Sequence, residues 1–441
     1  MIKFFENRYL KLLIVFFFIF VFIFTRSFMG IYVLGFRLGE LAILASMFCL
    51  LLFSLFLKKD SSLELFKQSK INLIINLILI SFVFIAYLSN SNFINPYTYK
   101  ASSYIWTIGF FFLGYQMTKN WKFQKKYFNF SLLILVYIYF LAIYDLPSSV
   151  QDFILSISDK YEPHKGSDML IMFIATMFIF IRLNNNRIGI EALFVFSFLY
   201  FPLLLYKSRG AFISLVIYFI LEVIHNRKTL VNTTFFRNFG LLIASLLIAV
   251  QSVFFVTQSG TLKVAIANEK INEVTQYRAP ELNPGEYVNY LYLKDGRLYS
   301  TDVNINWRIE IWQDVFEDIN NDNLYFIGHG YSATIPAMSA LDHEGNSVRS
   351  GLDGMNENVH NYLVNIYARG GLIHLALFLC LYFYILKANK GKNNNYSSLI
   401  FLIPVMFCSF FDASMENSHY PLILYFLLGI NLNEKNVFDK I

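Results

Sequence analysis

Charged side chains are scarce in this chain. Asp, Glu, Lys and Arg make up 15% of its 441 residues, against about 25% in soluble domains. Cysteine is nearly absent, and Cys49, Cys380 and Cys408 each sit inside an apolar run. That spacing supports neither a disulfide framework nor a thiolate metal cluster. No Gly/Ser-rich linker, low-complexity stretch or internal repeat interrupts the chain, which excludes a string of tethered soluble modules. What takes the place of these residues is hydrocarbon. Hydrophobic residues make up 56% of the chain, aromatics 19%, and Phe alone occurs 49 times; the mean hydropathy is +0.49. One soluble core of this length cannot hide that much apolar surface, so lipid must cover part of it. The formal charge of +6 does not indicate a nucleic-acid partner, because the basic residues lie in short clusters between apolar runs and not on one face.

A bilayer crossing needs roughly 17 to 25 apolar residues. Such runs are expected near 10–27, 38–57, 71–89, 101–118, 128–145, 167–183, 188–206, 211–225, 237–256, 361–386, 397–413 and 418–432. The fold class that follows is an all-α polytopic membrane protein with about 12 transmembrane helices and one large extracytoplasmic loop. The expected domains are nine spans in 1–256, the loop in 257–360, and three spans in 361–441. No small-residue cleavage site follows the first apolar run, so it reads as an uncleaved span. With both termini in the cytoplasm, the inside segments collect Lys58, Lys59, Lys67 and Lys70, then Lys119, Lys122, Lys125 and Lys126, and further clusters down the chain. The short outside segments hold only Arg26, Arg37, Lys100, Lys160, Lys165, Lys207 and Arg209. A positive-inside bias repeated at nearly every loop supports this orientation. The loop 257–360 is too rich in aromatics, among them Trp307, Trp312 and Tyr331, to read as disordered.

Three constellations can carry chemistry. In Lys207-Ser208-Arg209-Gly210, two cations stand against the inside bias in a very short outer turn. Arg209 either snorkels to lipid headgroups or serves as a fixed cation for an anionic lipid-linked substrate. In the loop, Trp312, Val315, Phe316 and Ile319 recur at helical spacing, Asn306 is a suitable N-cap, and Arg308 shares a face with Trp312. An Arg near a helix N-terminus opposes the dipole. Either Glu310 or Asp314 pairs with it, or another interaction holds it there. The third is Asn356-Glu357-Asn358-Val359-His360-Asn361-Tyr362, followed by Arg369-Gly370-Gly371. Asn358 can cap a helix starting at Val359. His360 then stands about 18 Å above Leu372, at or over the membrane surface, and it is either structural or a proton-exchanging group. Arg369 faces away from His360, about 180° around that helix. Gly328-His329-Gly330 reads as a structural turn, because it lacks the lysine and helix of a phosphate-binding loop. His374 reads as a packed helix residue, and Asp412, Glu416 and His419 as solvated loop residues. No spacing resembles a metal site.

Taken in order, these motifs resemble the O-antigen ligase and O-antigen polymerase superfamily of bacterial envelope glycosyltransferases. They are a Ser-Arg-Gly opening a span, an Arg four residues before a Trp in a large outer loop, a Gly-His-Gly, then His-Asn-Tyr-Leu and Gly-Gly before another span. The likeness is strongest over 200–375. It implies a metal-independent, cofactor-free membrane enzyme of the bacterial inner membrane that transfers a glycan from an undecaprenyl-diphosphate-linked donor. The acceptor would be a glycan or a lipopolysaccharide lipid A-core, the surroundings membrane lipids, and no nucleic acid would take part. The resemblance makes Arg209, Arg308 and His360 the residues that bind the donor diphosphate and assist its departure. Lys207, Asn361 and Arg369, beside them in the matched motifs, become substrate-binding residues. It does not separate ligase from polymerase, nor a base from a phosphate donor at His360.

The chemistry suits those residue types. Departure of a lipid diphosphate needs positive charge where negative charge develops, and arginines can clamp phosphate oxygens bidentately. A competing class is a lipid-linked oligosaccharide flippase or transporter, which would carry ionisable residues deep in its spans or repeated halves. A third is a structural envelope protein that transfers nothing. The orientation is testable first. In cells with a permeable outer layer, a cysteine placed at Ser300 should react with a membrane-impermeant thiol reagent, and one at Ser61 should not. The opposite labelling pattern would invert the topology.

Overall fold

The computed structural model describes residues 8–52, 70–120, 131–158, 164–184, 187–231, 235–268, 291–339, 349, 358–393 and 397–432. The basic clusters at 58–67 and 122–126 and several stretches of the 257–360 loop lie outside the described residues. Helix α1 (Arg8–Met29) passes through a small hairpin, β1 (Tyr32–Val33) and β2 (Phe36–Arg37), into α2 (Leu38–Leu51). Then come α3 (Lys70–Leu88), three short helices α4 (Pro96–Ala101), α5 (Ser103–Trp106) and α6 (Gly109–Asn120), and the pair α7 (Ser131–Tyr144) and α8 (Ser148–Ile157). Helices α9 (Gly166–Leu183), α10 (Arg187–Lys207), α11 (Arg209–His225), α12 (Arg227–Val231) and α13 (Phe235–Asn268) follow. The loop contributes an antiparallel hairpin, β3 (Leu291–Lys294) and β4 (Arg297–Ser300), with helices α14 (Val303–Asn321) and α15 (Pro336–Ser339). Helices α16 (Tyr362–Asn393), α17 (Ser397–Ser409) and α18 (His419–Asn431) complete the bundle.

The expected 12 spans reduce, among the described residues, to six helices long and apolar enough to cross a membrane, or seven if the bent pair α7–α8 counts as one. The six are Leu12–Met29, Lys70–Leu88, Gly166–Leu183, Arg187–Lys207, Phe235–Gln258 and Tyr362–Asn389. Backbone geometry accounts for part of the difference, and parts of the expected spans at 38–57 and 128–145 lie outside the described residues. The apolar run at 101–118 breaks into pieces of α4, α5 and α6. The run at 128–145 turns by 101° after Tyr144. Helix α18 has 13 residues, about 20 Å of helix against a hydrocarbon core of about 30 Å, while α2 and α17 adjoin residues outside the described set. The run at 211–225 lies in α11, whose 17 residues fall just below full span length. At the other extreme, α13 continues as helix past the expected end at 256, to Asn268.

The centre of the bundle is α9, 89% of which is buried, whereas the apolar stretch of α13 is 17% buried and presents its surface outward. A helix apolar all round belongs in a core or in lipid, and here each case is realised. Elsewhere α3 packs on α16, α10 on α13, α11 on α17, and α18 on α6. The last pair approaches closely because Gly114 faces the Phe426 carbonyl and Gly429 the Phe111 carbonyl, small residues serving close backbone contact as in other membrane helices.

The loop helix α14 starts one turn earlier than expected. Asp302 caps it, its carboxylate accepting from the amides of Asn304 and Ile305 at 3.1 Å. Asn306 is instead buried within the first turns, donating to Glu310 at 3.0 Å and accepting from the Ser300 amide at 2.8 Å. Ser300 is therefore a buried residue, and Asp295, exposed in the hairpin turn, is the better position for thiol labelling. Ile311, Val315 and Ile319 of α14 pack against Val359, Tyr367 and Ala368. Helix α16 likewise starts later than expected. Its cap is Asn361, which accepts from the Leu363 and Val364 amides, and not Asn358.

The turn after α14 docks on a break in α16. Gly371 has φ 60° and ψ −163°, a conformation open to glycine and costly for other residues. There the amides of Leu372 and Ile373 reach the carbonyls of Tyr325 and Phe326, while those of His329 and Gly330 reach Ala368 and Arg369. Gly328-His329-Gly330 is thus the structural turn expected, and His374 is buried against the Tyr331 hydroxyl. A Cβ at Gly371 would lie 2.2 Å from the Phe326 carbonyl carbon. Gly371→Ala should therefore destabilise the protein by about 2 kcal/mol or more. Thermal unfolding in detergent measures this, and an unchanged Tm would show that the docking does not depend on the break.

Candidate functional site

One end of the bundle gathers the close of α1, the start of α9, the turn between α10 and α11, the N-terminal half of α14, the segment before α16, and the α17–α18 loop. Ser208 makes the sharp turn after Lys207 and caps α11, its hydroxyl accepting from the Ala211 amide at 3.3 Å. Arg209 is then the first residue of α11, and its side chain is 74% exposed. Its Nη1 donates to Asp302 Oδ2 at 2.8 Å. Burial alone would raise the Asp302 carboxyl, but the Ile305 amide and the Arg209 guanidinium outweigh it and hold the group below the usual range.

Arg308 lies in the second turn of α14 and is half-buried. It pairs with neither carboxylate expected of it. Asp314 takes Arg297 and Arg349, and Glu310 takes Asn306 and Arg349. The anions nearest Arg308 are Asp412 and Asp302, which offset part of the lowering that burial imposes on it. Its Nε is buried with no hydrogen-bond partner among the described residues, and a buried donor without a partner calls for a functional explanation or a missing ligand.

His360 is held by the same helix. The Trp312 indole donates to the Val359 carbonyl at 2.8 Å, fixing the residue just before it, and the Trp307 ring meets the imidazole edge-on at 5.0 Å. The backbone of His360 is left-handed, φ 54°, a region that His visits more readily than most residues. Burial, and then the Arg308 guanidinium, push the imidazole down to about 4, with Lys165 and Arg26 acting in the same direction and Asp412 opposing. At neutral pH His360 is therefore an uncharged imidazole inside a field that is positive on balance.

The structure thus brings Arg209, Arg308 and His360 to one end of the bundle, with Lys207 at the close of α10 beside them. It leaves two expected substrate contacts outside. The Asn361 side chain caps α16. The Arg369 guanidinium is buried, donating to the carbonyls of Gly330 and Ala333 and to the Tyr97 hydroxyl, so it stabilises the docked turn. It also adds Arg26, Lys165, Asp412 and Glu416. The loop residues of this end are not solvated as expected. His419 is buried and paired with Asp168. Both Glu416 oxygens are buried without a hydrogen-bond partner among the described residues, and burial, aided by Asp412, pushes that carboxyl up to about 8. A signal for Arg26 and Lys165 was present in the chain, since they share with Lys207 and Arg209 the anomaly of basic residues on the side where such residues are few. Among the described residues, no group of three or more His, Cys, Asp or Glu is placed to hold a metal ion.

Residues 172–379 match the family model described as O-antigen ligase. That segment runs from the middle of α9 into α16 and includes Lys207, Arg209, Arg308 and His360. No curated protein matches the chain. The long apolar helices and the similarity of this segment to that family together indicate a multi-pass membrane protein whose central part resembles O-antigen ligases.

Proposed function

We propose that this chain acts as an O-antigen ligase superfamily protein and moves a glycan from undecaprenyl diphosphate to an acceptor at the outer face of the bacterial inner membrane, with both termini in the cytoplasm. The acceptor is a second glycan or a lipid A-core. The observation that carries the reading is His360, an uncharged imidazole beside Arg308 in a field to which Lys165 and Arg26 add positive charge and which Asp412 opposes. An anionic donor is attracted to such a place, and a neutral imidazole there can accept a proton.

In the proposed reaction the acceptor hydroxyl oxygen bonds to the anomeric carbon of the donor glycan. The bond from that carbon to the diphosphate oxygen breaks, and its electron pair leaves with the lipid diphosphate. The hydroxyl proton passes to His360. Arg308, through its unpartnered Nε and the rest of its fork, stabilises charge developing on the leaving oxygen. Arg209 engages the outer phosphate. Its present partner, Asp302, is cheap to exchange, because an exposed ion pair contributes only about 0–1 kcal/mol. Lys207 adds a further cation at the rim. The transporter reading has one observation in its favour, the buried pair Arg182–Glu222 at 3.4 Å. That pair lies at the opposite end of α9 from Asp168 and faces none of the groups gathered around His360.

The deciding experiment is glycan transfer by the purified protein, given an undecaprenyl-diphosphate glycan and candidate acceptors. No transfer by the wild type with any of them would return the chain to the transporter or scaffold class. Arg209→Lys should be impaired although its charge is kept, because an ammonium cannot form the planar two-point contact; full activity would reduce Arg209 to a local charge. His360→Ala should lose roughly 10²- to 10⁴-fold in transfer. The pH profile follows from the sign of the shift. A base held at about 4 is deprotonated throughout the neutral range, so kcat/KM should be flat there and fall only as the pH drops through that value. Activity that falls instead as pH rises through neutrality would make His360 a cationic phosphate donor.

A further inference from the structure

We propose that Arg26, at the end of α1, is a third guanidinium of the donor site, aimed there by Asp168 and by a break in α1. The inference rests on the reading of this end of the bundle as a diphosphate site. The first observation is the ion pair. Arg26 Nε donates to Asp168 Oδ2 at 3.0 Å, and the second oxygen of the same carboxylate meets His419 Nε2 at 2.8 Å. All three side chains are nearly or fully buried, so α1, α9 and α18 are fastened at one point and the orientation of Arg26 is fixed. The second observation is the backbone. Thr25, the preceding residue, has φ 44° and ψ −116° inside what is otherwise continuous helix. A β-branched residue in that region is a genuine outlier, and its hydroxyl is buried with no hydrogen-bond partner among the described residues. Strain of this kind persists where surrounding structure imposes it, and it clusters at functional sites. The break turns the last residues of α1 out of the helical register just where Arg26 begins.

The third observation is where the charge acts. Arg26 is one of the cations that disfavour a proton on His360, and it also works on Glu416. Its field therefore reaches both His360 and Glu416, from α1, while Arg308 reaches His360 from α14 and Lys165 from the N-cap of α9. The packing agrees, since the start of α9, which carries Asp168, lies against the α10–α11 turn, where a Cβ at Gly166 would come 2.6 Å from the Ser208 Cβ, one residue before Arg209. The chemistry supplies a reason for a further cation. A glycosyl lipid diphosphate is a diester with two negative charges, which Arg209 and Arg308 can balance. When the glycan leaves, the oxygen it departs from takes on a third charge, and a further fixed guanidinium stabilises that charge.

The test is binding of undecaprenyl diphosphate itself to the purified full-length protein in detergent, with thermal unfolding measured in parallel. Arg26→Gln should weaken binding roughly tenfold or more, the loss expected for a charge-assisted hydrogen bond. That variant also strands Asp168, so the informative protein is Arg26→Gln with Asp168→Asn, which removes both charges of the pair. It should regain the wild-type Tm and still bind poorly. If it regains both stability and binding, Arg26 is only a fastener and the inference is overturned. If the double variant does not fold, Arg26→Lys decides. Weakened binding at a wild-type Tm upholds the inference, and unchanged binding overturns it. Arg308→Gln separates the two levels of the argument. Should it lose binding while every Arg26 variant keeps it, the donor site stands without Arg26. Should the wild type not bind undecaprenyl diphosphate, the donor-site reading itself falls.

Discussion

Four backbone hydrogen bonds join the turn at 325–330 to the break in α16 at Gly371, and the placement of α14 and His360 at the proposed site depends on them. They can form only because Gly371 leaves the helical conformation and because neither Gly371 nor Gly328 carries a Cβ into the facing backbone. The buried Arg369 guanidinium then closes the turn from the other side by occupying the Gly330 and Ala333 carbonyls. With the end of α14 fixed in this way, Ile311, Val315 and Ile319 settle on α16, and the Trp312 indole reaches the Val359 carbonyl. The next residue is His360. A backbone contact between two and three turns into a membrane helix thus sets the placement of an imidazole that belongs to neither α14 nor α16.

Electrostatics follow from that placement. Arg308 enters from the loop helix, Lys165 and Arg26 from the starts and ends of spans, and their combined effect on a half-buried imidazole is to keep it neutral. Desolvation alone pushes in the same direction, so the two causes reinforce each other. For a group meant to take a proton from a hydroxyl this is a coherent arrangement. In the proposed reaction an anionic donor would weaken the field that lowers its basicity, and the imidazole would become a better base with the substrate bound.

Much of the local order was legible in the sequence. The helical spacing of Trp312, Val315 and Ile319, the turn at Gly328-His329-Gly330, the packed role of His374 and the ordered family motifs all depend on residues close together in the chain. What was not legible depends on tertiary contact or on exact helix ends. Asp302 and Asn306 are both good caps, and only the carboxylate's position relative to Arg209 and the buried place of Asn306 decide between them. The described helices of full span length are fewer than the expected 12 in part because apolar composition does not record where a backbone bends, as it does after Tyr144, or where a helix is short, as in α18. Glu416 and His419 looked like loop residues because they are hydrophilic. Their burial comes from α9 and α1 lying against the loop, and the residues that cause it are hundreds of positions away.

The arginines at this end illustrate how partners, more than position in a motif, distinguish roles. Arg369 sits in one of the expected motifs, yet its donors end on the Gly330 and Ala333 carbonyls, which cannot move away without unfolding the turn, and on the Tyr97 hydroxyl. A guanidinium in that state has a fixed geometry and nothing to give a ligand. Arg209 is itself largely exposed and has the half-buried Asp302 as its partner, which a diphosphate can replace at little cost because the guanidinium is solvated and paired in both states. Arg308 has a buried Nε without a partner and carboxylates only at longer range, so a phosphate oxygen would satisfy a donor that is otherwise stranded. The same side chain therefore serves three different purposes within one region. The distinction rests on what each fork already holds and on whether that partner can be exchanged.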